Sequence, residues 1–553
     1  MASQVYFNGK LRKLPGAYSK ITSGEQNTPA RLDYGKVMVI DTGLGATYGG
    51  GAGINSIAAT PVSNGKDAVY QFQDVEEYKA FLKGGLMWKL AEKMFFPYSG
   101  VNGVSTVYHV KAAVTDPASM TFTATGGGTA GGTFKVKCKD EGVIGNGVLS
   151  TTHLDRGFGY SIETGVVDAT KWIFKIWQGT WKGIHTDGLS YDEVVKADTT
   201  PILAVASPEF NNIQTLIDWA TSDQAFGNHF ILDSTSTKVG TGEVTLADIT
   251  ALVGSYQLAS GGLETYSTAA LSAVFEAIKD LDFQFILCDK YGSGNFDSTE
   301  VGMIFAHIKD AGTDFNKTLV YGAGKDEVEF SAADGSIDAA LYYNSNKAIV
   351  VHGGVKETTQ QLAGGFRVWP AIYHAAVVLG RICGLQPQIP ITNKLIGIDG
   401  LVHNIKVKEQ ERALDNGVVV TIQDNARGGF KVLQGVNSLQ DNKFLFNSLG
   451  KSYSIQFERI VNQINRELVV NSQTDLLNNE NGVNVNTLSP GILKTWTETY
   501  LQSRVAKADS DDLLLSFRNV VVSRTEDYYN VTYGIVVNNE VTKIFYTGFL
   551  FKS

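Results

Sequence analysis

The chain has 553 residues, 43% of them hydrophobic and 19% charged, with 59 glycines and 11 prolines. That length exceeds a single core and predicts two to four domains, and the apolar content excludes a disordered chain. A net charge of −9 disfavours sequence-independent binding to nucleic acid, which needs a basic face.

Few charges and many glycines fit a β-rich chain with tight turns and much buried interface. Cys138, Cys288 and Cys383 are far apart and odd in number, so they form neither a disulfide framework nor a zinc spacing. A reducing compartment is expected. The start, MASQVYFNGKLRKLPG, lacks an apolar signal core, and Arg381 interrupts the best candidate span, AAVVLGRICGL. These features predict a soluble product made in the cytoplasm, without membrane insertion.

Residues 1–30 read as an extended N-terminal arm with a turn at Pro15-Gly16. Lys10, Arg12, Lys13 and Lys20 all precede the first acid, Glu25, so the arm is either a solvated leader or a charge-steered docking segment. Val5, Tyr6, Phe7, Leu11 and Leu14 are costly to leave in water. A buried strand is predicted at 36–40 (KVMVI), then a glycine-rich loop at 43–53, one helix at 75–94 and a strand at 104–110. Residues 112–195 change character: turn-rich pieces such as TGGGTAGG separate short strands at 133–138 and 172–177, which predicts a small inserted β-domain. From 196 to 368, helices at 213–220 and 269–279 alternate with strands at 283–288, 319–321 and 348–352. This alternation predicts an α/β layer shared with 31–111.

The final block, 369–553, carries a small-residue helix at 371–383 and strands at 417–423 and 430–433. A helix at 454–470 follows, and another starts at Ser489-Pro490. Strands at 531–537 and 544–551 close the chain around Asn538-Asn539. In the last strand Phe545, Phe549 and Phe551 share one face, and Ile544, Tyr546 and Leu550 the other. A strand apolar on both faces needs a cover. It either pairs within its own domain or reaches into a neighbouring copy. The fold class is α+β and multidomain: mixed α/β core domains, an inserted small β-domain and extended terminal arms.

Catalytic and cofactor motifs are missing. GLGATYGGGAG follows a strand but lacks the lysine of a phosphate loop and the dinucleotide spacing. The segment 289–300 (DKYGSGNFDSTE) partly matches a calcium loop, but Tyr291 stands where an oxygen ligand belongs. The eight histidines are scattered, and His307 and His374 read as satisfied core residues. Trp172, Trp177 and Trp181 fit a β-domain core better than a sugar platform. Neither a cofactor nor an enzyme is expected.

Several segments together resemble the sheath proteins of contractile bacteriophage tails and contractile injection systems. LPGAY at 14–18 is similar to that family's Pro-Gly-x-Tyr start, and EKMFFPYSGVNGVSTVYHV at 92–110 to its helix, Phe pair, glycine turn and strand. EGVIGNGV at 141–148 resembles the element that opens its β-domain. The C-terminal block matches best, through AIYHAAVVLGRICG, ITNKLIGI, DNGVVV, FKVLQGVN and the helix at 454–470. The resemblance implies a virion tail component assembled in the host cytoplasm. It implies hexameric rings stacked around an inner tail tube, and contraction that drives the tube through an envelope. Other partners would be the baseplate and tail terminator proteins. Terminal arms would add strands to neighbouring copies. The arm candidates are Val5, Phe7, Pro15, Gly16, Tyr18, Ile544, Tyr546, Phe549 and Phe551. Arg459, Arg466, Lys494, Arg504 and Lys507 are candidates for contact with the tube or for a solvated face. The alternative is another self-assembling virion or surface-array protein.

Overall fold

The computed structural model describes residues 5–7, 10–12, 35–42 and 69–537, the last with breaks of which the longer are 125–131, 186–191, 196–200, 238–243, 250–255, 289–295, 312–316, 324–334, 359–365, 441–451, 478–487 and 507–511. Its centre is a seven-stranded sheet ordered Val418–Val419, Ala348–His352, Thr318–Ala323, Phe285–Cys288, Lys36–Asp41, Thr106–Lys111, Tyr70–Phe72. All neighbours are parallel except the last pair. Parallel strands are covered on both faces, and their alternate side chains feed two cores. Val37, Val39, Leu287, Val320 and Val351 point into one. Met38, Ile40, Ile286, Leu319 and Val350 point into the other.

The first face is covered by Ala371–Cys383, of which twelve of thirteen residues are buried, so this helix is internal rather than amphipathic. Val75–Leu82 and Gly85–Phe95 pack on the same side. Both lie within the helical segment expected at 75–94, and residues 83 and 84 between them fall outside the described residues. The second face carries Thr268–Ile278, Ser298–Ala311, Ser336–Tyr343 and Val407–Asp415.

The β-unit is larger than its predicted limits of 112–195. A sheet of Ile202–Ala206, Trp172–Gln178, Phe158–Thr164 and Gln257–Leu258 accompanies one of Phe230–Leu232, Thr133–Glu141 and Pro117–Thr123. Leu216 and Ile217, from the helix read as part of an α/β layer, and Phe226, from the following helix Gln224–His229, share a core with Phe134 and Phe174. The unit therefore runs to about residue 260. The helix expected at 213–220 caps a β-core instead of crossing over between parallel strands.

The boundary at 369 is also displaced. Val418–Val419 is an edge strand of the central sheet, and the helix Ala371–Cys383 lies on it. A separate C-terminal core forms among Ile460, Ile464, Tyr500, Leu501, Leu513, Leu514, Val520 and Val537. Here Leu514–Arg524 pairs with Tyr529–Val537. The first of these strands was not foreseen. Its register shifts at 514/516 and 518/521, and Asn519 takes φ 56, so period-two alternation is broken twice.

Candidate functional site

The C-terminal hairpin stands on the helix Ile455–Ser472, whose Ser454 side chain caps its start by accepting from Phe457 N. One side of this helix is apolar, through Ile455, Ile460 and Ile464. Its other buried residues are polar: Gln456, Glu458, Arg459, Gln463, Arg466, Glu467 and Asn471. Buried polar groups need partners, and most of these have them. Arg459 donates to the carbonyls of Leu385 and Ile389. Glu458 accepts from Lys347 Nζ at 3.1 Å. Arg466 Nη2 lies 2.5 Å from Asp282 Oδ2, which also takes Lys36 Nζ at 3.0 Å. Glu467, wholly buried, accepts from Tyr500 Oη at 2.6 Å and Gln463 Nε2 at 2.7 Å. Arg504 Nη2 stands 2.6 Å from Glu467 Oε2, off the axis of a hydrogen bond, so their attraction is ionic. Burial, then the Glu467 charge, pushes the Tyr500 phenol up, so it stays protonated and donates.

The hairpin Leu514–Arg524/Tyr529–Val537 packs Phe517, Val520, Tyr533, Ile535 and Val537 towards the helices. Leu514 is buried with them, whereas Leu515, Val521 and Val536 face outwards, 51%, 56% and 39% exposed. Among the described residues the two strands form a sheet of their own, extended only by a bridge from Val505 to Leu514. An isolated two-stranded sheet is marginal without support, and its open edges can accept another strand.

The predicted site residues divide into three groups. Val5 and Phe7 lie on a short strand, Val5–Phe7, paired antiparallel with Lys10–Arg12. Pro15, Gly16, Tyr18, Lys507, Ile544, Tyr546, Phe549 and Phe551 fall outside the described residues. So does the predicted partner strand of 531–537; in the structure that segment pairs with Leu514–Arg524. Of the basic residues, Arg459, Arg466 and Arg504 are 9%, 3% and 7% exposed. This corrects their reading as tube-facing charges, because their guanidiniums are taken up inside the chain. Periodicity placed them on helices but could not say which side faced the core. Lys494 is half exposed beside Glu498, a weak surface pair.

Asp297 and Glu300, from the calcium-loop candidate, cap a helix. Asp297 Oδ1 accepts from the amides of Thr299 and Glu300, and Glu300 Oε2 from Asp297 N. Trp172 is buried with its Nε1 donating to Val244 O, a core role. His374 is wholly buried: Nδ1 donates to the carbonyls of His352 and Gly353, which leaves Nε2 to accept from Thr421 Oγ1. Among the described residues, no group of three His, Cys, Asp or Glu is placed to hold a metal. Within the same residues, no helix is long and apolar enough to cross a membrane.

The overall fold is similar to that of a sheath tail protein. The structure matches the sheath tail protein of Desulfitobacterium hafniense with a TM-score of 0.53 and 13% identity, over 94% of this chain and 100% of that one. The sheath tail protein of Listeria innocua aligns with a TM-score of 0.45 and 14% identity, over 94% of this chain and 99% of that one. In sequence, the chain is 22% identical over 493 residues to the tail sheath protein of Bacillus phage SP01, covering 78% of this chain and 79% of the relative. No family model matches. The resemblance read from the sequence motifs thus recurs in a curated phage protein and in the fold.

Proposed function

We propose that the chain is the structural subunit of a contractile tail sheath. Copies stack as hexameric rings around an inner tube, attach to a baseplate and terminator, and contract to drive the tube through an envelope. The work comes from repacking of subunits, not from catalysis. The likeness to a phage tail sheath protein over 493 residues carries the reading. The outward-facing terminal hairpin supports it, since such an edge is where strand addition links copies. In this scheme the N-terminal segment bearing Val5, Phe7, Pro15, Gly16 and Tyr18, or the last strand bearing Ile544, Tyr546, Phe549 and Phe551, supplies the added strand.

Deleting residues 1–20 tests the linkage. The expected product is a folded, soluble monomer that fails to form long tubes in electron micrographs where the full chain forms them. Ordered long tubes from the truncated protein would remove the N-terminal arm from the scheme.

A further inference from the structure

Two consecutive residues of the helix Ile455–Ser472 bind opposite charges in different parts of the molecule. Successive helical residues point about 100° apart. Arg466 pairs with Asp282, three residues before the strand Phe285–Cys288, and Asp282 also holds Lys36, the first residue of Lys36–Asp41. This clamp grips the amino-terminal ends of two central strands of the parallel sheet. Glu467 holds Arg504 and Tyr500. Arg504 is the root of the hairpin: its carbonyl accepts from Leu514 N at 2.9 Å, and Ala506 N donates to Leu514 O at 2.8 Å. One residue before the clamps, Asn465 Oδ1 accepts from Tyr533 Oη in the second hairpin strand.

Apolar packing around Ile460, Ile464 and Leu501 is non-directional and leaves the angle of the hairpin soft. Buried ion pairs are the opposite case. Desolvation cancels much of their attraction, yet they tolerate few geometries, because losing one partner strands a charge. We infer that Arg466 and Glu467 form a two-sided joint that fixes the direction of the terminal hairpin relative to the parallel sheet. On the sheath reading, on which the inference rests for its purpose, the joint sets how a subunit presents its strand edge to the next copy. Arg466 and Arg504 are then positioning residues inside the subunit.

Amide hydrogen exchange on the unassembled full-length chain tests this. Glu467→Gln is expected to speed exchange at 514–524 and 529–537 at least about tenfold, while 318–323 and 348–352 keep wild-type rates. Arg466→Met decides between a joint and a local prop, because its ion pair is with the start of a central strand and reaches the hairpin through the helix. It is expected to speed hairpin exchange as well, and Arg466→Lys to restore most of the protection. Wild-type hairpin exchange in Arg466→Met overturns the inference. If Glu467→Gln does not fold, Tyr500→Phe removes one donor to Glu467 while keeping the charges, and the same increase is expected. The readout needs no assembly, so a wild-type chain that forms no tubes counts against the sheath reading alone.

Discussion

Lowering the pH from 7.5 to 5 is expected to cost the protein most of its stability, through four buried histidines. Burial pushes His109 and His374 down to about 4, and His307 and His352 down to about 3, from an ordinary value of 6.5. Secondary causes differ. Lys111 adds to burial at His109 while Asp41 opposes it; Lys317 adds at His307; His374 and His403 add at His352. Each ring has a defined neutral role. His109 Nδ1 is bonded to Tyr78 Oη at 2.8 Å, and His352 Nδ1 to Ser336 Oγ at 2.7 Å. His307 stacks on Phe275 with centroids 4.9 Å apart.

The sign follows from proton counting. Between pH 6.5 and about 4 the unfolded chain binds protons on these rings and the folded chain does not, so stability falls with pH and is fully present only above about 6.5. At pH 5 each ring costs roughly 2 kcal/mol, and four cost about 8, against a typical domain stability of about 5–15 kcal/mol. The lowered carboxylates act elsewhere. Asp233, held down by Lys137 and Thr235, loses its contribution only at far lower pH. Thermal melts across this range check the prediction, and a melting temperature that stays level from pH 7.5 to 5 would contradict it.

The second large effect concerns Gly380, inside the helix Ala371–Cys383. Helix propensity alone favours alanine there by about 1 kcal/mol. The packing argues the reverse. A Cβ at 380 would lie 2.7 Å from the carbonyl oxygens of both Lys93 and Met94, and backbone atoms cannot swing aside. Gly380→Ala is therefore expected to destabilise by about 1–3 kcal/mol, and Gly380→Leu to prevent folding of the central layer. Gly302 is the control. It sits in the helix Ser298–Ala311 with nothing within 4 Å of its would-be Cβ, so Gly302→Ala is expected to stabilise by about 0.5–1 kcal/mol. Urea midpoints for the three variants check both signs; a stabilised Gly380→Ala would show that the two helices do not approach closely.

The two glycines show what pattern reading reaches and where it stops. AIYHAAVVLGRIC announces a buried helix by its composition, and its bounds of 371–383 agree with the structure. The parallel strands KVMVI and AIVVH stand out because both faces are apolar. Ser489-Pro490 marks a helix start by local chemistry, and the helix Pro490–Ser503 begins there with Ser489 accepting from Ile492 N. Failures came where partners far along the chain decide the outcome. Leu216 and Phe226 belong to the β-unit because Phe134 and Phe174 lie beneath them. Arg466 is internal because Asp282, 184 residues earlier, receives it. Leu514–Arg524 is hidden from periodicity by its own bulges. A helical wheel marks Arg459, Arg466 and Arg504 only as basic residues on helices, and their burial follows from carbonyls and carboxylates distant in sequence.

A helical reconstruction of tubes grown from the purified full-length chain tests the central claim most directly. The expected map has stacked rings of six subunits around a hollow axis. In it the hairpin Leu514–Arg524/Tyr529–Val537 is extended by at least one strand from a neighbouring copy. A chain that stays as discrete particles at high concentration, or tubes in which the hairpin remains two-stranded and open to solvent, would contradict it.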